Sequence, residues 1–462
     1  MRAVMGLLFF PRGGSAQVAR YLARSLPAAG WDVTLACGSL GAPGEPSHAG
    51  TFFSGVDARP LDYTAAAAAP DPLAAGFHPS FEDRPGAPDR VFGRVDDADY
   101  ERLVAVWQRQ LADAGAADAD VLHLHHLTPI NEAAERSFPG VPRIGHLHGT
   151  ELLMLREIDE GPPPGWAHAA EWAERMRRWA GGCERLLVLS PDAVRRVPGL
   201  LGVDPDRVVW APNGFDPEGF DRRPLSGAAR LAHWRHWLVE EPRGWDETGI
   251  PGSVAYAGEQ LAPFSGAVLL YVGRFTEVKR VGLLIRAHAR ARARFAQPAA
   301  LVLLGGFPGE WEGEHPLRSV RATGDPDVFL AGWRGHEDLP AGLNAADLLV
   351  LPSVREQFGA VIVEAMACGL PALAVDAHGP AEIVAAGETG WLVPPDDEEA
   401  MADALVEAVN GDAERRRRGE RAYEVARGRY SWPALALGLA AVYGEVAGGR
   451  PPSAGTHTLT SP

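Results

Sequence analysis

Lysine is almost absent from this sequence. Of its 44 basic residues only Lys279 is a lysine, and the others are arginine. Such a skew fits a GC-rich coding bias. A position that stays lysine under it is either a chance retention or one where a compact ammonium suits better than a planar guanidinium. Cysteine is scarce: Cys37, Cys183 and Cys368 form no Cys-x-x-Cys pair, and three cannot make a paired framework. That excludes a disulfide scaffold and fits a reducing compartment. No uncharged apolar run reaches the roughly 18 residues that span a bilayer. The longest candidates are 3–10 and 431–444. The first runs into Pro11-Arg12-Gly13-Gly14 without a small-residue cleavage site, so it reads as a buried first strand rather than a signal segment. Positive charge is in deficit, with 60 acidic residues against 44 basic and a net charge of −16. That argues against a protein that coats polynucleotide, which needs a basic surface, and leaves room for a local basic pocket that holds a phosphorylated ligand.

What is present is ordinary globular material: 462 residues, 46% hydrophobic and 23% charged. At about 100–200 residues per domain, two to four domains are expected, with core enough to need no staple. The first half alternates between short apolar runs and helical patterns. Strands are predicted at 4–10, 33–36, 121–124, 144–148, 186–189 and 208–211, with helices at 16–28, 97–114 and 166–180 among those between them. Residues 38–95, rich in Pro, Gly and Ala, read as an irregular surface excursion. The pattern lapses again over 216–265, which reads as a linker with an inserted helix near 228–239. A second alternating series follows, with strands at 268–272, 301–304, 328–330, 348–351, 372–375 and 391–393. Strands separated by helices argue for parallel sheets. The expected fold class is α/β: two doubly wound, Rossmann-like halves, 1–215 and 266–430, facing a cleft. A helix at 431–447 is expected to return to the first half, and 448–462 reads as a disordered tail.

In doubly wound sheets, ligands bind beyond the carboxyl ends of the strands, so the loops after strands carry the candidates. Gly273-Arg274-Phe275-Thr276-Glu277-Val278-Lys279 leaves a strand and opens a helix. Two cations beside free helical N–H groups suit a diphosphate, although two solvated surface cations would share this spacing. Ser353 to Glu364 again joins a strand to a helix, with Glu356 and Glu364 eight residues apart. Glu364 lies on an otherwise apolar stretch, where a carboxylate is costly unless hydrogen-bonded. Ribose hydroxyls would serve as donors to it, and so would a structural ion pair.

Taken in order, Gly273-Arg274-Phe275 with Lys279, Gly305-Gly306, Glu356-x7-Glu364, Glu364-Ala365-Met366-Ala367-Cys368-Gly369-Leu370-Pro371 and Gly390-Trp391-Leu392-Val393 resemble the retaining family-4 glycosyltransferases, which have the GT-B fold. Together with Phe10-Pro11-Arg12-Gly13-Gly14, the resemblance covers most of the chain. It implies transfer of a hexosyl group from a nucleotide-sugar, UDP- or GDP-hexose, to an acceptor hydroxyl by a front-face path. It implies that Arg274 and Lys279 bind the pyrophosphate and that Glu364 holds the ribose. Glu356, with the backbone of Phe358, Gly359 and Ala360, reads the donor sugar. His148, in His148-Gly149-Thr150, contacts that sugar near the reacting carbon. Gly13, Gly14 and Gly273 let backbone approach the phosphates. Asn213-Gly214 matches the family's interdomain hinge, and Gly332-Trp333-Arg334 falls where the family places its nucleobase pocket. His378 departs from the pattern, standing where many members have a glycine.

The resemblance implies no cofactor and no metal, while the charge balance and cysteine usage lead to the expectation of no nucleic-acid partner and a cytoplasmic location, with the inner membrane face as the alternative. The acceptor, whether small molecule, lipid or glycan, cannot be read from the residues. Two other functions fit parts of the pattern. One is a nucleotide-sugar epimerase of similar build. The other is a metal-dependent hydrolase, since His123, His125, His126, His146 and His148 cluster at two strand ends with spacing that would suit zinc.

Overall fold

The computed structural model describes residues 1–82, 88–356 and 358–448. The chain divides into two compact units. The first holds Met1–Asn213 and the segment from Trp432 onward, and the second holds Gly214–Ser431.

The first unit is built on β1 (Arg2–Leu7), β2 (Asp32–Ser39), β3 (Asp57–Asp62), β4 (Val121–His125), β5 (Arg143–His146), β6 (Arg185–Val188) and β7 (Val208–Trp210). These form one sheet in the order β3-β2-β1-β4-β5-β6-β7, every pair parallel. Strands β4, β6 and β7 are buried along their whole length, as expected where helices cover both faces. The second unit repeats the plan with β8 (Ala267–Gly273), β9 (Ala299–Gly305), β10 (Val328–Gly332), β11 (Leu348–Leu351), β12 (Ala372–Val375) and β13 (Gly390–Val393). Their order is β10-β9-β8-β11-β12-β13, again all parallel. Strand order reverses at β1/β4 and at β8/β11. Doubly wound sheets bind ligands at such switch points. This is the expected pair of Rossmann-like domains.

Three expectations need correction. Residues 38–95 are not merely a surface excursion. They supply β3, and Tyr63, Phe77, His78, Phe81 and Phe92 from this stretch are buried. The Tyr63 hydroxyl donates to the carbonyl of Leu8 at 3.0 Å. The strand escaped detection because Asp57-Ala58-Arg59-Pro60-Leu61-Asp62 has no apolar alternation; it is an edge strand, where proline and charge are tolerated. Residues 83–87 lie outside the described part.

Nor is 216–265 a linker. Trp234, Trp237, Leu238, Trp245, Leu261 and Phe264 are core residues of the second unit. The helix Gly227–Arg235 carries Trp234, whose indole donates to the carbonyl of Ala345 at 2.9 Å. The helix expected near 228–239 is there, but the tryptophans around it belong to the core rather than to a connecting segment.

The unit boundary also falls slightly before the expected one. Gly214 and Phe215 join the second unit, where the Phe215 amide donates to the carbonyl of Tyr430 at 2.9 Å.

The helix Trp432–Ala447 packs in the first unit through Trp432, Leu435, Ala436, Leu439 and Tyr443. Trp432 stacks on Tyr21 at 5.6 Å, and Tyr443 meets Trp31 edge-on at 4.9 Å. The tail expected at 448–462 lies outside the described residues beyond Gly448. Among the described residues no helix is long and apolar enough to cross a membrane.

Candidate functional site

In the second unit the candidates gather at the carboxyl ends of β8, β10, β11 and β12. Gly305 has φ +127, and a Cβ there would lie 2.3 Å from the carbonyl oxygen of Gly273, so only glycine lets these two strand ends approach. The Gly306 amide then donates to that same carbonyl at 3.0 Å. Beyond Gly273, Arg274 is exposed, and its guanidinium has no partner among the described residues. The chain makes a short turn over Glu277–Lys279 before the helix Val281–Arg292, so Lys279 precedes that helix rather than lying in it.

The Lys279 ammonium is ion-paired with Glu356, both largely but not fully shielded from solvent. Tyr271 braces the first of these loops. Its hydroxyl donates to the Arg274 carbonyl at 2.7 Å. Burial pushes its pKa up, Glu356 pushes it further, and Arg274 opposes. The structure therefore brings Arg274, Lys279 and Glu356 around one buried phenol.

The Glu356 carbonyl accepts from the Gly379 amide at 3.1 Å, which sets the His378 turn beside this loop. His378 is exposed and left-handed at φ +53, a conformation glycine adopts at little cost. The glycine it replaces in the family pattern is thus one with a backbone reason.

Gly359, at φ +91, opens the helix Ala360–Ala367, and its own lack of a side chain leaves the first turn without a side-chain cap. Phe358 is turned inward, with its ring 6.1 Å from Tyr430, so only its backbone faces the loop. Glu364 is 8% exposed, one turn into the helix. Its Oε1 accepts from His336 Nε2 at 2.8 Å. Glu364 holds the His336 imidazole above its usual pKa range, against the opposing effect of partial burial. His336 was missed in the sequence. It follows the Gly332-Trp333-Arg334 stretch, with no pattern tying it to a carboxylate 28 residues on. Arg334 itself is committed to structure: it bonds the carbonyls of Trp237 and Glu241 at 3.1 and 2.9 Å, and its guanidinium lies 4.4 Å from the Trp237 ring centre.

In the first unit, Gly13 stands at φ +74 before the helix Gly14–Ser25. A Cβ on either Gly13 or Gly14 would meet nothing within 4 Å, so backbone conformation at Gly13, not crowding, calls for glycine. His148 follows β5, and its amide donates to Glu151 Oε1 at 3.0 Å. The neighbouring histidines form two hydrogen-bonded pairs. His123 Nε2 meets His146 Nδ1 at 3.1 Å, and His125 Nδ1 meets His148 Nε2 at 2.9 Å. The pairs stack: His123 on His125 at 4.6 Å and His146 on His148 at 4.5 Å, with planes within 23° and 21° of parallel. Burial, then the neighbouring imidazoles, push all four far toward the neutral form, His146 to about 3.

Nitrogens of His123, His125 and His146 lie within 4.8 Å of one another, as a metal site requires. As arranged, however, the nitrogens of each pair point at each other. Lone pairs lie in the ring planes, so stacked rings aim them in parallel rather than at a common point. Each pair, as arranged, can share one proton.

With that geometry in view, likeness to known proteins is informative. Residues 12–218 match the family described as Glycosyltransferase Family 4, and residues 259–425 match Glycosyl transferases group 1. A D-inositol 3-phosphate glycosyltransferase of Stackebrandtia nassauensis is 31% identical over 338 residues, 71% of this chain and 68% of that protein. The chain belongs to the family-4-like GT-B glycosyltransferases. Its fold is shared with sucrose-phosphate synthase of Thermosynechococcus elongatus, at TM-score 0.65 and 20% identity over 97% of this chain and 100% of the other. It is shared too with Anabaena Alr3699/HepE, solved in complex with UDP-glucose, at TM-score 0.61 and 18% identity over 95% of this chain and 98% of the other. The protein is therefore a glycosyltransferase of this fold, and the family matches between them span both units.

Proposed function

We propose that this glycosyltransferase moves a hexosyl group from a UDP- or GDP-hexose to an acceptor hydroxyl, with retention at the anomeric carbon and without a bound metal. The observation that carries the reading is the set of cation–carboxylate contacts at the carboxyl edge of the second sheet, Lys279 with Glu356 and His336 with Glu364. A nucleotide-sugar offers the complement of each: pyrophosphate for the cations, sugar and ribose hydroxyls for the carboxylates. The Anabaena protein of the same fold, solved with UDP-glucose, supports the choice of donor class.

In this reading the bond from the anomeric carbon to the leaving phosphate oxygen breaks through an oxocarbenium-like state. The acceptor oxygen bonds the same face of that carbon, and its proton passes to the departing phosphate oxygen. Arg274, Lys279 and the backbone N–H groups after Gly359 stabilise the charge that grows on the diphosphate. Preorganised donors of this kind each contribute ~3–4 kcal/mol. Glu356, released from Lys279 by the arriving phosphate, accepts from the sugar hydroxyls.

The test is a thermal-shift series with UDP, GDP, ADP and TDP and their sugars. A ligand at 100 times its dissociation constant stabilises by ~2.7 kcal/mol, which is readily seen. One nucleotide is expected to raise the melting temperature, and Lys279→Ala to abolish the rise. With that donor in hand, the anomeric configuration of the transferred sugar reports retention. A series in which nothing shifts would remove the donor-site reading.

Glu364 also predicts a pH dependence. The His336 imidazole, raised by Glu364 and further favoured in charged form by Glu337 and Asp216, is protonated below its folded pKa and then grips Glu364 most tightly. As pH rises through that value the grip weakens, and ribose hydroxyls compete better for the carboxylate. Nucleotide affinity is expected to rise several-fold between about pH 6 and about pH 9. Titration calorimetry on His336→Ala should show a flat profile; a profile unchanged by that substitution would detach His336 from the ribose site.

A further inference from the structure

The histidine array of the first unit has no role in the chemistry above. Its members come from separate elements: His123 and His125 from β4, His146 from β5, His148 just after it, and Tyr443 from the helix Trp432–Ala447. The Tyr443 hydroxyl closes the inner pair, lying 2.5 Å from His123 Nδ1. His126 lies with its ring 4.5 Å from that of His148 and bonds through Nδ1 to Glu151 at 3.3 Å. His123, His125 and His146 are no more than 2% exposed.

A neutral imidazole carries one N–H, so each N···N contact needs one ring to donate and the other to accept. Three nitrogens in the array are buried without a partner among the described residues: Nε2 of His125, of His126 and of His146. A buried donor with nothing to receive it is the rarer defect; a bare acceptor is the commoner one. Leaving Nε2 of His125 and of His126 unprotonated assigns the protons of those two rings. His126 donates from Nδ1 to Glu151, the one carboxylate in the array. The inner pair can run in either sense, because the buried Tyr443 hydroxyl that meets His123 Nδ1 has a proton of its own to place. His125 donates from Nδ1 to His148 Nε2. The His148 proton is thereby forced onto Nδ1, the nitrogen that has no partner among the described residues.

We propose that His125 is a positioning residue that locks His148 in the Nδ1–H tautomer, so that His148 meets its ligand only as a hydrogen-bond donor. The stacked His123–His146 pair and Tyr443 hold the His125 ring in place. With Nε2 engaged by His125, His148 has a proton to give at Nδ1 and no lone pair with which to act as a base toward a ligand.

The tautomer itself can be tested without any nucleotide. The full-length protein, labelled with ¹⁵N in its histidine rings, is examined by long-range ¹H–¹⁵N NMR near neutral pH, with His148 identified by the signals that His148→Gln removes. The expected result is a single species, Nδ1 protonated and Nε2 bare, with a coupling across the bond between His148 Nε2 and His125 Nδ1. In His125→Phe, which keeps a ring in the stack but removes the donor, the His148 signals should move to the average of two tautomers. His125→Asn, whose amide can donate in place of the imidazole, should restore the single species.

A proton on Nε2 in the wild-type protein would overturn the assignment, as would His148 signals unchanged in His125→Phe. If His125→Phe does not fold, the wild-type tautomer and the cross-bond coupling decide alone. One equivalent of zinc that shifts all four rings together would replace the relay with a metal site. Failure of every nucleotide to bind would remove the transferase chemistry but leave this assignment standing.

Discussion

Replacing Lys279 with alanine is expected to lower turnover of the nucleotide-sugar by about a hundredfold or more, which corresponds to ~2.7 kcal/mol of transition-state stabilisation. The fold should be almost unaffected. Lys279 and Glu356 both keep some solvent access, at 17% and 20% of their side chains, and an ion pair of that kind contributes at most about 1 kcal/mol to stability. The decisive comparison is thus kinetic against thermal. A melting temperature near the native one with turnover collapsed identifies a group that acts on the reacting phosphate. Near-native turnover in Lys279→Ala would remove the phosphate-site assignment.

Lys279→Arg sharpens the point. Arginine spreads its charge over a planar fork and carries it farther from the backbone. In a loop held between Glu356 and the turn at Glu277–Lys279, that fork should impair turnover while still pairing with the carboxylate. Full activity in this variant would mean that the single lysine among 44 basic residues is an accident of composition.

The second large effect is on stability. Trp245 is fully buried; its indole donates to the carbonyl of Gly306 at 3.0 Å, and its ring lies against Phe275 at 5.5 Å and His315 at 4.8 Å. Truncating a buried aromatic of this size costs about 3–5 kcal/mol through lost burial and the cavity left behind. At about 2–4 °C per kcal/mol for a unit of this length, Trp245→Ala should lower its melting temperature by roughly 6–20 °C. The loss should reach the site as well. The same Gly306 whose carbonyl Trp245 holds also donates to Gly273, at the root of the Arg274 loop. Nucleotide affinity is therefore expected to weaken even below the melting transition. Calorimetric unfolding with and without nucleotide measures both effects; an unchanged melting temperature would show that the segment carrying Trp245 is peripheral after all.

That segment shows what was hard to read. Outside the inserted helix, residues 216–265 looked like a linker because Pro and Gly clusters interrupt them and their tryptophans follow no strand period. Burial there comes from single large side chains inserted between elements far away in sequence, Trp234 reaching Ala345 and Trp245 reaching Gly306. Edge strand β3 was invisible for the opposite reason: an edge needs little apolar surface, and Asp57-Ala58-Arg59-Pro60-Leu61-Asp62 has little. By contrast, central strands such as β8 and β9 were legible from apolar runs alone, because helices cover both of their faces.

The sequence by itself determined the alternation of strand and helix in both halves, the loops where chemistry would lie, and the unusual residues in them: the single lysine, the carboxylate within an apolar helix, the histidines at two strand ends. These are local properties, set by backbone period and by the cost of placing a charge among apolar neighbours. Only the tertiary structure decided who partners whom. It joined Lys279 to Glu356 across 77 residues and His336 to Glu364 across 28. It set Tyr443 against His123 across 320 residues and brought the histidines of two strand ends into two stacked, hydrogen-bonded pairs. A spacing pattern says which residues share a face of a strand. The direction in which their nitrogens point is decided by the neighbouring strand and by the helix that closes over them.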